Sequence, residues 1–124
     1  MGCDEGYDGE ECYLLVTTAM SWSQAEEYCG QHDGHLASIT SPEENDWLGS
    51  ELISEVTGSL WLGGQWSPGS DWTWSDGSEW AWTNWASGQP SQQFNPECAL
   101  LHQASYNWGS YDCSTDLKFI CKYF

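Results

Sequence analysis

The chain has 124 residues, of which 19 are acidic and only two, Lys118 and Lys122, are basic, so its formal net charge is −17. Nucleic acids and anionic membrane surfaces are polyanions, so this charge argues against both as partners. Six cysteines in so short a chain indicate disulfide bonds and an oxidising compartment. No apolar run approaches the roughly 18 residues of a membrane-spanning helix. We therefore expect a secreted, extracellular protein with one domain over residues 1–124 and no membrane insertion.

The first predicted elements are a hairpin, a strand and a helix. Cys3 and Cys12 enclose two glycines and several acidic residues, which predicts a small N-terminal hairpin, residues 3–12, closed by a Cys3–Cys12 disulfide. Residues 13–18 are apolar and β-prone, as in a strand. Ser21 can cap the helix that follows, whose apolar side chains recur at helical spacing as far as Cys29.

A second strand and a second helix follow. Residues 35–39 predict the strand. Ser41 is placed as the cap of the helix, Pro42 at its first position, and Glu44 as the residue that completes a capping box. The apolar spacing extends this helix to about Val56.

The second half of the chain contains strands and long loops but no further helix. Residues 60–64 form a continuous apolar run, which predicts a central strand, and residues 119–124 close the chain as another. Between them lies a long loop region, residues 65–97, rich in tryptophan, glycine, proline and amides. A Cys98–Cys113 disulfide would clamp the base of that loop. This order of elements indicates the α+β class.

The end of the long loop is the predicted binding surface. Its amide and hydroxyl side chains lie on a loop held by a rigid base, which is what a binding site needs. Tryptophans in the same region could supply a face for stacking, and the segment before Cys113 adds two further candidates. The candidate ligand-binding residues are Gln89, Ser91, Gln92, Gln93, Asn95, Glu97, Trp66, Trp80, Trp108 and Ser110.

Metal binding and catalysis have less support in the sequence. Glu97, His102 and Asp112 are candidates for a weak divalent-cation site, for Ca or Zn, although no histidine or cysteine has zinc-ligand spacing with His102. A surface histidine and solvated carboxylates are the ordinary interpretation. Every cysteine has a candidate partner and no Ser–His–Asp set is suggested, so we expect no enzyme.

Motifs over nearly the whole chain resemble the C-type lectin-like domain, in its long form with an N-terminal disulfide hairpin. The motifs are Trp22-Ser23-Gln24-Ala25-Glu26-Glu27-Tyr28-Cys29, Gly34-His35-Leu36-Ala37-Ser38-Ile39, Trp61-Leu62-Gly63-Gly64, Trp74-Ser75-Asp76-Gly77-Ser78, Thr83-Asn84-Trp85 and Phe119-Ile120-Cys121. The resemblance implies two helices packed on small antiparallel sheets with a long loop region. It also implies the pairings Cys29–Cys121 and Cys98–Cys113, which the sequence alone leaves open.

The chain departs from the sugar-binding members of that family at the calcium ligands. In those members, side chains on both sides of a loop proline, a glutamate two before the next cysteine, and an Asn-Asp pair after a tryptophan hold one calcium. The matching positions here are Gln89 and Ser91, Pro96, and Gly109 with Ser110. Calcium prefers six to eight oxygens, several from carboxylates. We therefore expect that the usual calcium-dependent sugar site is lost and assign no cofactor.

Three functions remain in competition. The first is a secreted, innate-immunity-type module that recognises glycans or microbial cell-surface polysaccharide, for which tryptophans and amides are suited. The second is a type II antifreeze protein, a class that the same resemblance brings in. The third is an acidic structural protein that binds divalent cations or mineral. A glycan array with and without chelator tests the first, and a thermal-hysteresis measurement tests the second.

Overall fold

The computed structural model describes residues 5–6, 12–53 and 56–123. Cys3 and most of the predicted hairpin lie outside the described residues, although Cys12 is disulfide-bonded. The elements in chain order are β1 (Glu5–Gly6), β2 (Cys12–Met20), α1 (Trp22–Gln31), β3 (His35–Leu36), α2 (Pro42–Trp47), a π-helical continuation of α2 (Leu48–Leu52), β4 (Ser59–Trp66), β5 (Thr73–Trp74), β6 (Glu97–His102), β7 (Trp108–Asp112) and β8 (Leu117–Tyr123). Within the described residues, no helix has the length and apolar character needed to cross a membrane.

The strands form one mixed sheet in the order β1-β2-β8-β4-β6-β7, with β3 on β8 and β5 on β4. The pairing of β4 with β8 is parallel, and the other pairings are antiparallel. The predicted α+β class is confirmed, although this sheet is continuous and mixed where small antiparallel sheets were expected. Strand β4 lies inside the sheet, as its continuous apolar run predicts, because both of its faces are covered.

Both helices begin at the predicted caps. The Ser21 hydroxyl accepts from the backbone N–H of Gln24 at 3.3 Å, and the Ser41 hydroxyl accepts from that of Glu44 at 3.1 Å. The capping box belongs to α1, where the Gln24 side chain accepts from the Ser21 N–H. The predicted box on α2 is wrong, because the Glu44 side chain is turned inward.

The second helical segment and the second strand are shorter than predicted. Helical structure ends at Leu52 where the pattern extended to about Val56, and β3 covers only two residues of the predicted 35–39. In the π-helical continuation of α2, Gly49 lies against the Tyr106 ring. A Cβ at position 49 would lie 2.6 Å from atoms of that ring, so a larger residue there would have to displace Tyr106.

Two disulfides hold the elements that support the long loop. Cys29–Cys121 joins α1 to β8 with a Cα–Cα distance of 5.5 Å, and Cys98–Cys113 joins β6 to the end of β7 at 5.2 Å. Both pairings implied by the resemblance are confirmed. Because Cys98 directly follows Glu97, the second disulfide fixes the end of the loop that precedes it.

The core contains a buried ion pair that the sequence did not reveal. Lys122 Nζ lies 2.7 Å from Glu44 Oε2 and 3.0 Å from the Ser38 carbonyl oxygen. Both charged side chains are only 2% exposed. The Tyr13 hydroxyl donates to the same carboxylate, whose other oxygen accepts from the Thr40 N–H at 2.9 Å. The pair therefore links β2, α2 and β8 through one carboxylate.

Candidate functional site

The end of the long loop folds around the carboxylate of Glu97. This side chain is fully buried at the start of β6. Its oxygens accept from the backbone N–H groups of Gln92 at 2.7 Å, Gln93 at 2.8 Å and Phe94 at 3.1 Å, and from the Ser91 hydroxyl at 2.9 Å. Three consecutive backbone donors thus converge on one anion, which compensates for its removal from water.

Hydrogen bonds to the carboxylate keep Glu97 ionised. Burial by itself would raise its pKa, but hydrogen bonds from the Ser110 hydroxyl, from the Gln92 and Phe94 N–H groups and from Ser91 outweigh burial and hold the pKa below its ordinary value. A carboxylate that accepts several backbone N–H bonds is strongly favoured in its charged form. At neutral pH the N–H and hydroxyl groups of the loop therefore surround a negatively charged Glu97 carboxylate.

A second set of hydrogen bonds ties the loop to β7. Gln89 Oε1 accepts from the Ser110 N–H at 2.9 Å, and Ser110 Oγ lies 3.0 Å from the same oxygen. The Ser91 N–H donates to Ser110 Oγ at 2.8 Å. Four of the predicted ligand-binding residues are thus brought together and occupied with one another. These four residues are Gln89, Ser91, Glu97 and Ser110.

The outer side of the loop presents the groups that are free to meet a ligand. Gln92, Gln93 and Asn95 are exposed. Beside them, the Tyr111 and Phe94 rings meet edge to face with centroids 5.0 Å apart. Tyr111 is 47% exposed, and no other large hydrophobic residue of the described part of the chain is classed as exposed. We call these five residues the outer loop face.

Sequence reasoning missed Tyr111 and Phe94. No strand was predicted over residues 108–112, where the structure has β7, so the alternation of strand faces was not used to place Tyr111 outward beside the buried Ser110. Successive strand side chains point to opposite faces, so a buried residue 110 places residue 111 outward. No local signal distinguished Phe94, whose contact with Tyr111 depends on how the loop returns to β7.

The tryptophan candidates do not lie on this face. Trp108 is fully buried, and its Nε1–H donates to Asn45 Oδ1 at 2.8 Å. Trp80 is partly buried against Trp74, with ring centroids 4.3 Å apart, and packs on the main core cluster. Trp66 is also partly buried against that cluster. The rings proposed for stacking therefore contribute mostly to the core beneath the loop.

The metal candidates do not form a ligand set, although Glu97 on β6 and Asp112 on β7 are cross-strand partners. Asp112 Oδ1 accepts from the Ser114 N–H at 3.0 Å and from its hydroxyl at 2.8 Å. These two bonds hold the Asp112 pKa below its ordinary value. His102 Nδ1 lies 3.3 Å from Ser59 Oγ. Over residues 5–6, 12–53 and 56–123, no three His, Cys, Asp or Glu residues are grouped as metal ligands.

Comparison with known proteins identifies the family. The family model described as Lectin C-type domain matches residues 18–123. This chain belongs to the C-type lectin domain family. The family and its lectin relatives are binding proteins, not enzymes.

Three similar proteins illustrate the range of this family. The regenerating islet-derived protein 3-alpha of Mus musculus is 35% identical, over 98% of this chain and 77% of its own length. The alpha-N-acetylgalactosamine-specific lectin of Patiria pectinifera is 33% identical, over 94% of this chain and 75% of its own. A crystal structure of a calcium-independent type II antifreeze protein superposes with a TM-score of 0.82 at 28% identity, covering 94% of this chain and 88% of that one.

The residues of this C-type lectin domain do not fit the family's calcium. Pro96 and Gly109 have no side-chain oxygen, and Gln89 Oε1 already accepts from Ser110. Glu97 is one position from the family's glutamate, and its oxygens accept from the loop itself. Calcium would have to displace these donors, and Glu97 would then be the one carboxylate at or directly beside the family's ligand positions, where calcium prefers several.

Proposed function

We propose that this protein is a secreted, innate-immunity-type module that recognises carbohydrate on microbial surfaces without calcium, through the outer loop face. One observation carries the proposal. The loop that presents the face is ordered by the buried Glu97 carboxylate, which fills the organising role that a cation would have. A rigid loop reduces the ordering cost of binding. The similarity to the alpha-N-acetylgalactosamine-specific lectin supports carbohydrate as the ligand class.

The exposed groups are suited to a sugar. The amides of Gln92, Gln93 and Asn95 each supply donors and an acceptor, as the hydroxyls of a pyranose require. The Tyr111 ring supplies an apolar face for the C–H side of the sugar. Without a cation each hydrogen bond is neutral and contributes only about 0.5–1.5 kcal/mol. A single sugar should therefore bind with a Kd on the order of millimolar, and a surface with repeated ligands should be retained through avidity.

A glycan array with and without chelator tests this function. We expect retention to be unchanged by chelator, because the site contains no metal ligand set. Tyr111→Ala, and separately Gln93→Ala with Asn95→Ala, should each reduce retention about tenfold, since each removes roughly 1.4 kcal/mol of contact.

Gln31→Ala, an exposed glutamine at the end of α1, is the matched control and should retain full binding. Melting curves should be the same for all variants, because the replaced side chains are at the surface. Loss of retention on chelation, or normal retention of all the outer-face variants, would refute the proposal.

An ice-binding function is the second candidate, because the superposed antifreeze protein is calcium-independent. A flat polar surface near the same loops could bind ice. Thermal hysteresis measured at millimolar protein, with Tyr111→Ala for comparison, separates the two functions. Thermal hysteresis without binding to any glycan on the array would show that the protein binds ice and not carbohydrate.

A further inference from the structure

A groove of about 380 Å³ lies beside the outer loop face, and Tyr111 lines it. Building on the proposed function, we propose that this groove is a second subsite, which holds the next sugar unit of a neutral oligosaccharide whose first unit lies on the outer loop face. The recognised ligand would then be a glycan chain and not a single terminal sugar.

The groove depends on the absence of a side chain at position 109. Gly109 lines the groove together with Leu100 and His102. A Cβ at Gly109 would lie 2.8 Å from His102 Nε2 and 3.2 Å from Leu100 Cδ1, so any other residue would displace the imidazole. This position corresponds to the asparagine of the family's calcium site. Glycine at position 109, in place of that asparagine, supplies no metal ligand and leaves room for His102 to line the groove.

The lining has the character of a sugar subsite. Leu100, Leu117 and the Gly109 backbone provide apolar contact, while His102 and Thr115 provide polar groups. His102 is oriented by its 3.3 Å contact with Ser59. Small-molecule sites combine an apolar wall with a few polar groups in this way, and their usual volumes of roughly 300–1,000 Å³ include this one. A pyranose can place its C–H face on the apolar wall and its hydroxyls on the polar groups of the groove.

Charge restricts the ligand to neutral glycans. Among the residues described as lining the groove there is no Lys, Arg, Asp or Glu. The whole chain carries −17, so sulfated or carboxylated chains would be repelled. A neutral glycan chain experiences no such electrostatic repulsion.

The groove and the outer loop face are continuous through one residue. Tyr111 contacts Phe94 of the loop and also lines the groove. A chain that stacks one unit on Tyr111 can therefore place its neighbour beside His102 and Thr115. Two adjoining subsites make the second contact intramolecular, which raises affinity with chain length.

The test combines chain length with a reporter inside the groove. Glucose, mannose and N-acetylglucosamine, each as one to four linked units, are titrated into 13C-labelled protein. We expect the Kd to fall about tenfold or more from one unit to two. We also expect the His102 ring signals to move with two or more units and not with one. The signals of His32 and His35 serve as internal controls, because these residues lie at the end of α1 and on β3.

Thr115→Trp fills the groove and should abolish the gain with chain length while leaving affinity for one unit unchanged. Thr83→Trp, at an exposed loop threonine, is the matched control and should keep the gain. If Thr115→Trp does not fold, the His102 signals of the unaltered protein decide the question. If one sugar unit binds, but longer chains bind no more tightly and do not shift the His102 signals, then the second subsite is refuted and the proposed function stands. No binding in any of the three series overturns the proposed function as well.

Discussion

Replacing Glu44 by glutamine should lower the free energy of unfolding by about 3–5 kcal/mol, because it removes the carboxylate charge that lies against the buried Lys122 ammonium. Lys122 Nζ lies 2.7 Å from Glu44 Oε2, and neither side chain can reach water without opening the core. The substitution keeps the size of the side chain, so the loss reports charge and hydrogen bonding. Urea unfolding followed by tryptophan fluorescence measures it.

Two further variants separate charge from packing in this test. Glu43→Gln, at the exposed neighbouring position, should have little effect, since Glu43 faces solvent. Glu44→Gln combined with Lys122→Met should recover most of the loss, because the buried ammonium that the Glu44 carboxylate stabilised is then also gone. A double variant as unstable as Glu44→Gln alone would show that the ion pair is not the cause.

Glu97→Gln should loosen the loop and lower the free energy of unfolding by about 2–4 kcal/mol, the second-largest expected effect. The new amide cannot accept from all the donors that now converge on the carboxylate, and its own NH₂ would face backbone N–H groups. Hydrogen exchange should accelerate at Gln92, Gln93 and Phe94, whose N–H groups are released. Binding by the outer loop face should fall with it, because these residues lose their fixed positions.

Acid should have a related effect on the unaltered protein. The pKa of Glu97 is lower in the folded state than its ordinary value. Its contribution to stability is therefore complete above the unfolded-state pKa of about 4.3 and is lost as pH falls through the lower folded-state value. Unfolding measured between neutral pH and pH 2 should show this loss, and Glu97→Gln should lack that component. Glu79→Gln, at an exposed position, is the control. An unchanged acid profile in Glu97→Gln would contradict the assigned role.

Much of the framework was predictable because its signals are local or repeat with a simple period. Ser21 and Ser41 mark helix starts through hydrogen bonds that span only three residues. The continuous apolar run of β4 indicates burial on both faces. The ordered motifs and the cysteines led to the family and, through it, to both described disulfides.

The roles of the candidate site residues were not predictable in the same way. Gln89, Ser91 and Glu97 were correctly placed in one loop, yet their side chains turn inward and bind Ser110 and the loop's own N–H groups. Composition identifies polar groups on a loop but does not say whether the loop uses them itself. That depends on the return of β7 beside the loop, which brings residue 110 to residue 89.

By itself, the sequence determined the fold class, the helix caps and the central strand, because each follows from residue types at short or fixed spacing. Only the tertiary structure decided that Glu44 pairs with Lys122, that Glu97 holds the loop closed, and that Tyr111 rather than a tryptophan faces outward. The partners in the first case are 78 residues apart. The physical reason is that tertiary packing between residues distant in sequence sets both the burial of a side chain and its hydrogen-bond partners. A carboxylate can cap a helix, pair with a lysine or organise a loop, and its surroundings after folding select among these roles.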